Sequence, residues 1–335
     1  MRGTGASKLL GTETFHAANP LEVDARQRAG HGLRGRCFAL GKRAVESLMP
    51  PRRRAILIAE IMKMNTTLHV QITGLGRTTA NHETLTTAAD EALWRSAAEV
   101  LRERVYATAT GVVRVSADWR PLREREDEAL VALEVRVADE REKGDPRDVV
   151  SFVELFFHDV FLLLNLAVPG SFGGVIVTLA DGWHQASEVA LSARLFEYAW
   201  ATATRNGRPS VEPLPLADVV RWYDALETGT QQLATTSVTK ALVILLHLAR
   251  AEENESMSIL RLGQALEALQ AHDESLPRFF ELRDAIVHGT APVLHPMADD
   301  ALDDRIDDAS IELVNAADLA SSVIVSEIQG RVRRT

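Results

Sequence analysis

The sequence predicts an α+β protein in which a mixed α+β domain precedes an all-helical domain. Three observations support this prediction. Runs of alternating apolar and polar residues, typical of half-buried strands, are found before residue 205. Residues 205–216 contain three prolines and one glycine, a composition typical of a linker. After this segment the alternation stops, and apolar residues recur at helical spacing.

The first 63 residues are basic, with 12 Lys and Arg against 5 Asp and Glu. Their periodicity is weak, so we expect a disordered tail, of a charge that suits nucleic acid. The alternative is that Met62 or Met64 is the natural start and that the tail is a gene-calling artefact. The remaining residues carry 25 Lys and Arg against 42 Asp and Glu. An acidic body argues against general nucleic-acid binding but leaves room for a small site with a local arginine.

The mixed domain is expected over residues 64–204. Leu68, Val70 and Ile72 alternate with polar residues, which predicts a strand beginning at Met64. Further strands are predicted at 112–115, 129–137, 175–179 and 191–197. Two helices are predicted, one over 86–104 and an apolar one over 149–166 that should lie buried under the sheet.

The helical domain is expected over residues 217–335. Its predicted helices are 217–226, 236–253, 256–271, 276–288 and 308–332, and their short connections indicate a bundle. Residues 299–308 hold six aspartates. This segment lacks the spacing of a calcium loop, and we interpret it as a solvated loop whose last aspartates cap the final helix.

Several classes of protein are disfavoured by composition. The single cysteine, Cys37, excludes an intrachain disulfide framework and a multi-cysteine zinc site. The first 25 residues show no apolar core of a signal peptide. The longest apolar run, 160–168, is too short to cross a bilayer and contains Asn165. We therefore expect a soluble, cytoplasmic protein without a membrane partner, and no motif for a cofactor or a metal is present.

Residues 279–289 carry the most informative pattern in the chain. Three apolar residues fall at helical spacing and should face a core: Phe279, Leu282 and Ile286. Asp284 and His288 are four apart, so the carboxylate could orient the imidazole. Gly289 can take the left-handed conformation that ends a helix, which would place His288 in the last turn.

Arginine and histidine together suffice for metal-free RNA cleavage. A guanidinium holds phosphate through a two-pronged hydrogen-bonding edge, and an imidazole moves a proton near neutral pH. The spacing Arg-x4-His occurs three times, at Arg26–His31, Arg77–His82 and Arg283–His288. Only the third lies on a predicted amphipathic helix, so we take Arg283 and His288 as the candidate pair.

The segment Arg-Asp-Ala-Ile-Val-His-Gly at 283–289 follows an amphipathic helix that carries Ala-Leu-Glu-Ala-Leu at 265–269. Together they resemble the HEPN superfamily, closest to its Apea-like branch, over the last third of the chain. The resemblance implies a small helical bundle. It also implies one of two functions: a metal-independent endoribonuclease, often a toxin or antiviral effector, or a non-catalytic module that dimerises or binds a nucleotide or partner.

The resemblance assigns roles to four residues. In HEPN ribonucleases the 2′-hydroxyl attacks the adjacent phosphorus and leaves a 2′,3′-cyclic phosphate. By analogy, Arg283 would hold the phosphate and His288 would act as general base or acid. Asp284 stands where Asn is common and adds negative charge, and Glu267 matches an acidic position that would brace Arg283.

The spacing of the motif also bears on oligomeric state. Residues five apart on a helix point about 140° from each other, so one copy makes a poor pocket. The family pairs two motifs across a two-fold axis, and we therefore expect a homodimer with RNA as its substrate. The α+β domain would then receive an unknown trigger or partner protein. The acidic segment 299–308 has a second interpretation here, as a competitor of RNA phosphate for Arg283.

Overall fold

The computed structural model describes residues 64–73, 87–119, 131–142, 145, 148–180, 184–226, 233–250, 255–291 and 305–335. The predicted tail, the Arg26–His31 and Arg77–His82 pairs and most of the Asp-rich segment lie outside the described residues. Met62–Thr335 form one compact unit.

Six strands form one sheet: β1 (Met64–Thr73), β2 (Glu103–Thr108), β3 (Gly111–Ala117), β4 (Val131–Asp139), β5 (Gly174–Ala180) and β6 (His184–Leu191). Their order is β2-β3-β4-β1-β5-β6, and every neighbouring pair is antiparallel. Val70 lies opposite Leu133 of β4 and Thr178 of β5, so β1 is the centre of the buried face. Alternation in β4 is complete, with every second residue buried, because one face of the strand meets the core.

The described helices are α1 (Thr87–Val100), α2 (Asp148–Ala167), α3 (Arg194–Asn206), α4 (Leu216–Ala225), α5 (Ser237–Arg250), α6 (Glu255–Leu269), α7 (Pro277–Val287) and α8 (Arg305–Val332). Helix α2 packs against β3, β4 and β6, and its residues from Val160 to Ala167 are all buried. Helix α8 packs against α3 and α6, and α6 also contacts α5 and α7. From Leu216 onward every described element is a helix.

The α+β prediction is confirmed, and most predicted elements are present. The strand predicted at 191–197 is wrong, because β6 ends at Leu191 and α3 begins at Arg194. Phe196, Ala199 and Ala203 recur at helical spacing and are buried, and this stripe outweighs the local alternation. The helix predicted over 86–104 ends at Val100, and β2, which the sequence analysis missed, starts at Glu103.

One continuous core includes the sheet and the helices on both sides of residues 205–216. Trp119 stacks on Phe156 of α2 with ring centroids 6.0 Å apart and donates its indole N–H to the Leu101 carbonyl, 3.0 Å away. Gln329 of α8 is fully buried, and its amide nitrogen donates to the carbonyls of Leu166 and Glu212, each at 2.9 Å. Helix α8 is thereby joined to both α2 and the proline-rich segment, while the division into two domains stays a prediction.

Two helices are long and apolar enough to cross a bilayer by length and composition, Asp148–Ala167 and Asp308–Val332. The first is 67% buried inside the protein over its most apolar window, and the second is 39% buried. A core helix of a soluble protein passes the same test, so this finding is weak evidence for a membrane span.

Candidate functional site

Helix α7 carries the Arg-His motif and has defined ends. Pro277 occupies its first turn, where a missing N–H costs nothing. His288 follows the last helical residue as the C-cap, and its N–H donates to the Asp284 carbonyl at 2.9 Å. Gly289 has φ +69°, the left-handed conformation predicted from the sequence. His288 therefore lies one residue beyond the helix, at its exposed end.

The apolar stripe of α7 faces the helices beneath it. Phe279 and Leu282 are buried, and Ile286 is half-buried against the same core. Burying these side chains stabilises the contact between α7 and α6. The stripe determines the rotation of α7, and that rotation brings Arg283 to the side of the helix that faces α6.

Arg283 is held by two carboxylates. Its Nε and Nη2 atoms donate to one Asp284 oxygen at 3.1 and 2.8 Å. Its Nη1 atom donates to the Glu267 carboxylate on α6. The guanidinium carbon lies 5.0 Å from the centre of the Phe280 ring, within cation–π range. Three of the five N–H groups of the guanidinium are therefore used, and one remains on each Nη atom.

Arg283 stays protonated, and the cluster that it forms with Asp284 and Glu267 is negatively charged as a whole. Hydrogen bonding to Asp284, followed by that to Glu267, raises the pKa of Arg283 above its usual value. One guanidinium and two carboxylates leave a formal charge of −1. The Arg283 side chain is 21% exposed, and those of Asp284 and Glu267 are 56% and 60% exposed, so solvent reaches the cluster.

His288 stands apart from this cluster. Its side chain is exposed, and no hydrogen bond to its imidazole occurs among the residues that the structure describes. The Asp284 carboxylate contacts Arg283, although the sequence analysis allowed it to orient His288. Three of the four predicted site residues, Arg283, Asp284 and Glu267, are thus in contact. The fourth, His288, lies just beyond the end of α7.

Two residues of the cluster were missed by sequence reasoning. Phe280 lies three residues before Arg283, and this spacing could have indicated the ring contact. Gly263 lies on α6 beneath the Arg283 side chain. It precedes Glu267 by four residues, so both belong to the same face of α6.

Comparisons of the chain with protein-family models, with curated proteins and with solved structures find no match. The function must therefore be argued from the residues and their geometry. In the described residues, the Arg283 group combines a charged guanidinium with solvent access, and the exposed His288 lies just beyond the end of the helix that carries Arg283.

A second polar cluster is buried and has a structural role. Asp159 of α2 accepts hydrogen bonds from the hydroxyls of Tyr106 on β2, at 2.9 Å, and Tyr223 on α4, at 2.7 Å. Arg104 lies 3.7 Å from the same carboxylate and donates to Asp224 at 2.6 Å. Burial raises the pKa of Asp159, while Arg104 and the two tyrosines act against that rise. Asp159 is only 3% exposed, so its hydrogen bonds to the two tyrosines join β2, α2 and α4 out of reach of solvent.

Proposed function

We propose that the chain is a HEPN-type, metal-independent endoribonuclease whose residues 217–335 form an all-helical bundle with Arg283 and His288 in its catalytic site. The observation that carries this proposal is the partly exposed guanidinium of Arg283, fixed by Glu267 and Asp284 on a helix that ends at an exposed imidazole. A fixed guanidinium suits recognition of a phosphate, because less side-chain freedom is lost when the anion binds.

Each residue has a defined task in the proposed reaction. Arg283 holds the scissile phosphate through its remaining N–H donors and stabilises the charge that develops on it. His288 takes the proton of the attacking 2′-hydroxyl or gives one to the departing 5′-oxygen. The phosphorus–5′-oxygen bond breaks as the 2′-oxygen bond forms, which yields a 2′,3′-cyclic phosphate and a 5′-hydroxyl.

A homodimer completes the site. Residues five apart on an ideal helix point about 140° from each other, so Arg283 and His288 of one copy make a poor pocket, and an imidazole from a second copy is needed beside each guanidinium. Val287 supports this arrangement, because it is apolar, 62% exposed and adjacent to His288. Light scattering should give a mass of about twice 36.8 kDa. A strict monomer would contradict the composite site.

The biological setting is proposed from the same resemblance. The protein acts in the cytoplasm as a toxin or antiviral effector, and its sheet-containing half receives a trigger or partner protein. Expression of the wild type should then slow growth of the host cell. Substituting His288→Ala should restore growth at the same protein level.

The decisive assay is digestion of mixed RNA in excess EDTA. We expect His288→Ala to lower the cleavage rate at least about 100-fold, the usual contribution of a positioned proton donor or acceptor. Arg283→Ala should lower it at least about 100-fold as well, because it removes a group that stabilises charge in the transition state. Arg278→Ala and His272→Ala are matched controls, because both replace exposed side chains on or beside α7. The products should carry a 2′,3′-cyclic phosphate. Cleavage that needs a metal, or that survives His288→Ala, would refute the proposal.

The second candidate is a non-catalytic HEPN module that dimerises and binds a nucleotide or partner protein. One observation favours it: the cluster around Arg283 carries a formal charge of −1, which weakens attraction for phosphate. In that case the wild-type dimer should leave RNA intact even in the presence of its trigger. The same digestion assay therefore separates the two candidates.

A further inference from the structure

The position of the Arg283 side chain depends on Gly263, a residue without a side chain. A Cβ atom built on Gly263 would lie 2.6 Å from Cδ of Arg283, 3.5 Å from its Cγ and 3.7 Å from its Nη1. The first distance is shorter than any stable contact between carbon atoms. The aliphatic stem of Arg283 thus crosses α6 directly over the Gly263 backbone.

Nothing in the helix itself calls for glycine at this position. Gly263 lies in the middle of α6 and is buried, and its φ is not in the left-handed region. Glycine destabilises a helix interior relative to alanine because it loses more backbone freedom on folding. The need for glycine here comes from the neighbouring helix.

The other contacts show why the stem cannot move aside at no cost. Phe280 lies against the guanidinium, Asp284 binds its Nε and Nη2 atoms, and Glu267 binds Nη1 one turn along α6 from Gly263. The blocked atom, Cδ, is in the middle of the side chain. Displacing it therefore displaces the whole guanidinium from these three partners.

We infer that Gly263 is a positioning residue: it provides the groove on α6 in which Arg283 lies, and so sets where the guanidinium is presented. The identity of the ligand of Arg283 rests on the proposed function, whereas the groove on α6 does not depend on that function. Gly263→Ala should fill the groove and move the guanidinium. The variant tests both statements through two separate measurements.

The first measurement is a thermal double-mutant cycle without RNA. Gly263→Ala should lower the melting temperature when Arg283 is present, because the methyl group and the stem collide. The same substitution in an Arg283→Ala background should raise it, because alanine favours the helix and the space is then empty. Gly330→Ala is the control, since its nearest neighbour to a new Cβ is Arg334 Nη2 at 3.9 Å and only a small rise is expected.

The second measurement is binding of a 2′-O-methyl RNA oligonucleotide, which cannot be cleaved, followed by fluorescence anisotropy. Gly263→Ala should weaken binding about tenfold, as expected for loss of charge-assisted hydrogen bonds, and should have no further effect in Arg283→Ala. If Gly263→Ala lowers the melting temperature with Arg283 present and raises it in Arg283→Ala, the groove is supported even when the wild type binds no RNA. Absence of RNA binding by the wild type would count only against the proposed function. Equal thermal rises in both backgrounds, or unchanged RNA affinity in Gly263→Ala of a protein that binds RNA, would overturn the inference.

Discussion

Two partly buried groups, His158 and Asp318, should contribute to the pH dependence of stability with opposite signs between pH 4 and 6. Burial, with a smaller contribution from Arg250, lowers the pKa of His158 to about 4. Below pH 6.5 the unfolded chain therefore binds a proton that the folded chain does not, and the free energy of unfolding falls as the pH falls towards 4. At 1.36 kcal/mol per pH unit, the full effect is about 3 kcal/mol.

Asp318 on α8 acts in the opposite sense. Burial raises its pKa to about 6, although Arg194 and Arg205 on α3 act to lower it. Between pH 6 and 3.8 the folded chain holds a proton that the unfolded chain has released, so the free energy of unfolding rises as the pH falls. Because Asp318 is only partly buried, solvent screening makes about 3 kcal/mol an upper limit for this effect. The two contributions therefore oppose each other in the wild type.

Replacing either residue should reveal the pH dependence of stability that the other one contributes. Relative to the wild type, the free energy of unfolding of His158→Gln should rise by about 2 to 3 kcal/mol from pH 6.5 to pH 4, and that of Asp318→Asn should fall by up to a similar amount. Urea denaturation at pH 4, 5 and 7 measures these slopes, and other titrating groups are common to all three proteins. Parallel pH profiles for the wild type and both variants would refute the reasoning.

Three further predictions concern single substitutions. Asp284→Asn keeps an oxygen that can accept from Arg283 but removes a negative charge beside it, so affinity for a 2′-O-methyl RNA oligonucleotide should rise up to about tenfold, as anisotropy would show; weaker binding would contradict this electrostatic argument. Asp159→Ala leaves Tyr106 and Tyr223 without their acceptor and should cost about 3 kcal/mol in urea denaturation, whereas a loss below about 1 kcal/mol would show that the cluster contributes little. Val287→Asp places a charge on the proposed dimer surface, and light scattering should report a monomer with unchanged circular dichroism.

Much of the fold could be predicted from periodicity. The alternation in β1, β3, β4 and β5 reflects burial of one face of each strand, and the apolar character of α2 reflects the continuous burial of its C-terminal part. The error at residues 191–197 arose where strand and helix periods overlap over a few residues. There, packing of Phe196 into the core decided in favour of α3. Strand β2 was missed because a helix and a strand meet within three residues, between Val100 and Glu103.

The candidate site was partly predictable. Arg283, Asp284 and His288 could be identified as candidates because they lie on or directly after one helix, where spacing determines which residues are neighbours. The link to Glu267 was expected from the resemblance, and the structure shows the ion pair. The role of Gly263 could not be seen in the sequence, because the clash that explains it involves a side chain from another helix.

By itself, the sequence determined the α+β class, most helices and strands, and the end of α7 at Gly289, because these depend on local backbone preference and on which side of an element is apolar. Only the tertiary structure decided which groups meet. It paired the Asp284 carboxylate with Arg283 and placed the Arg283 side chain across the backbone of Gly263. Such contacts depend on how two helices are rotated against each other, and that rotation is set by the packing of the whole core.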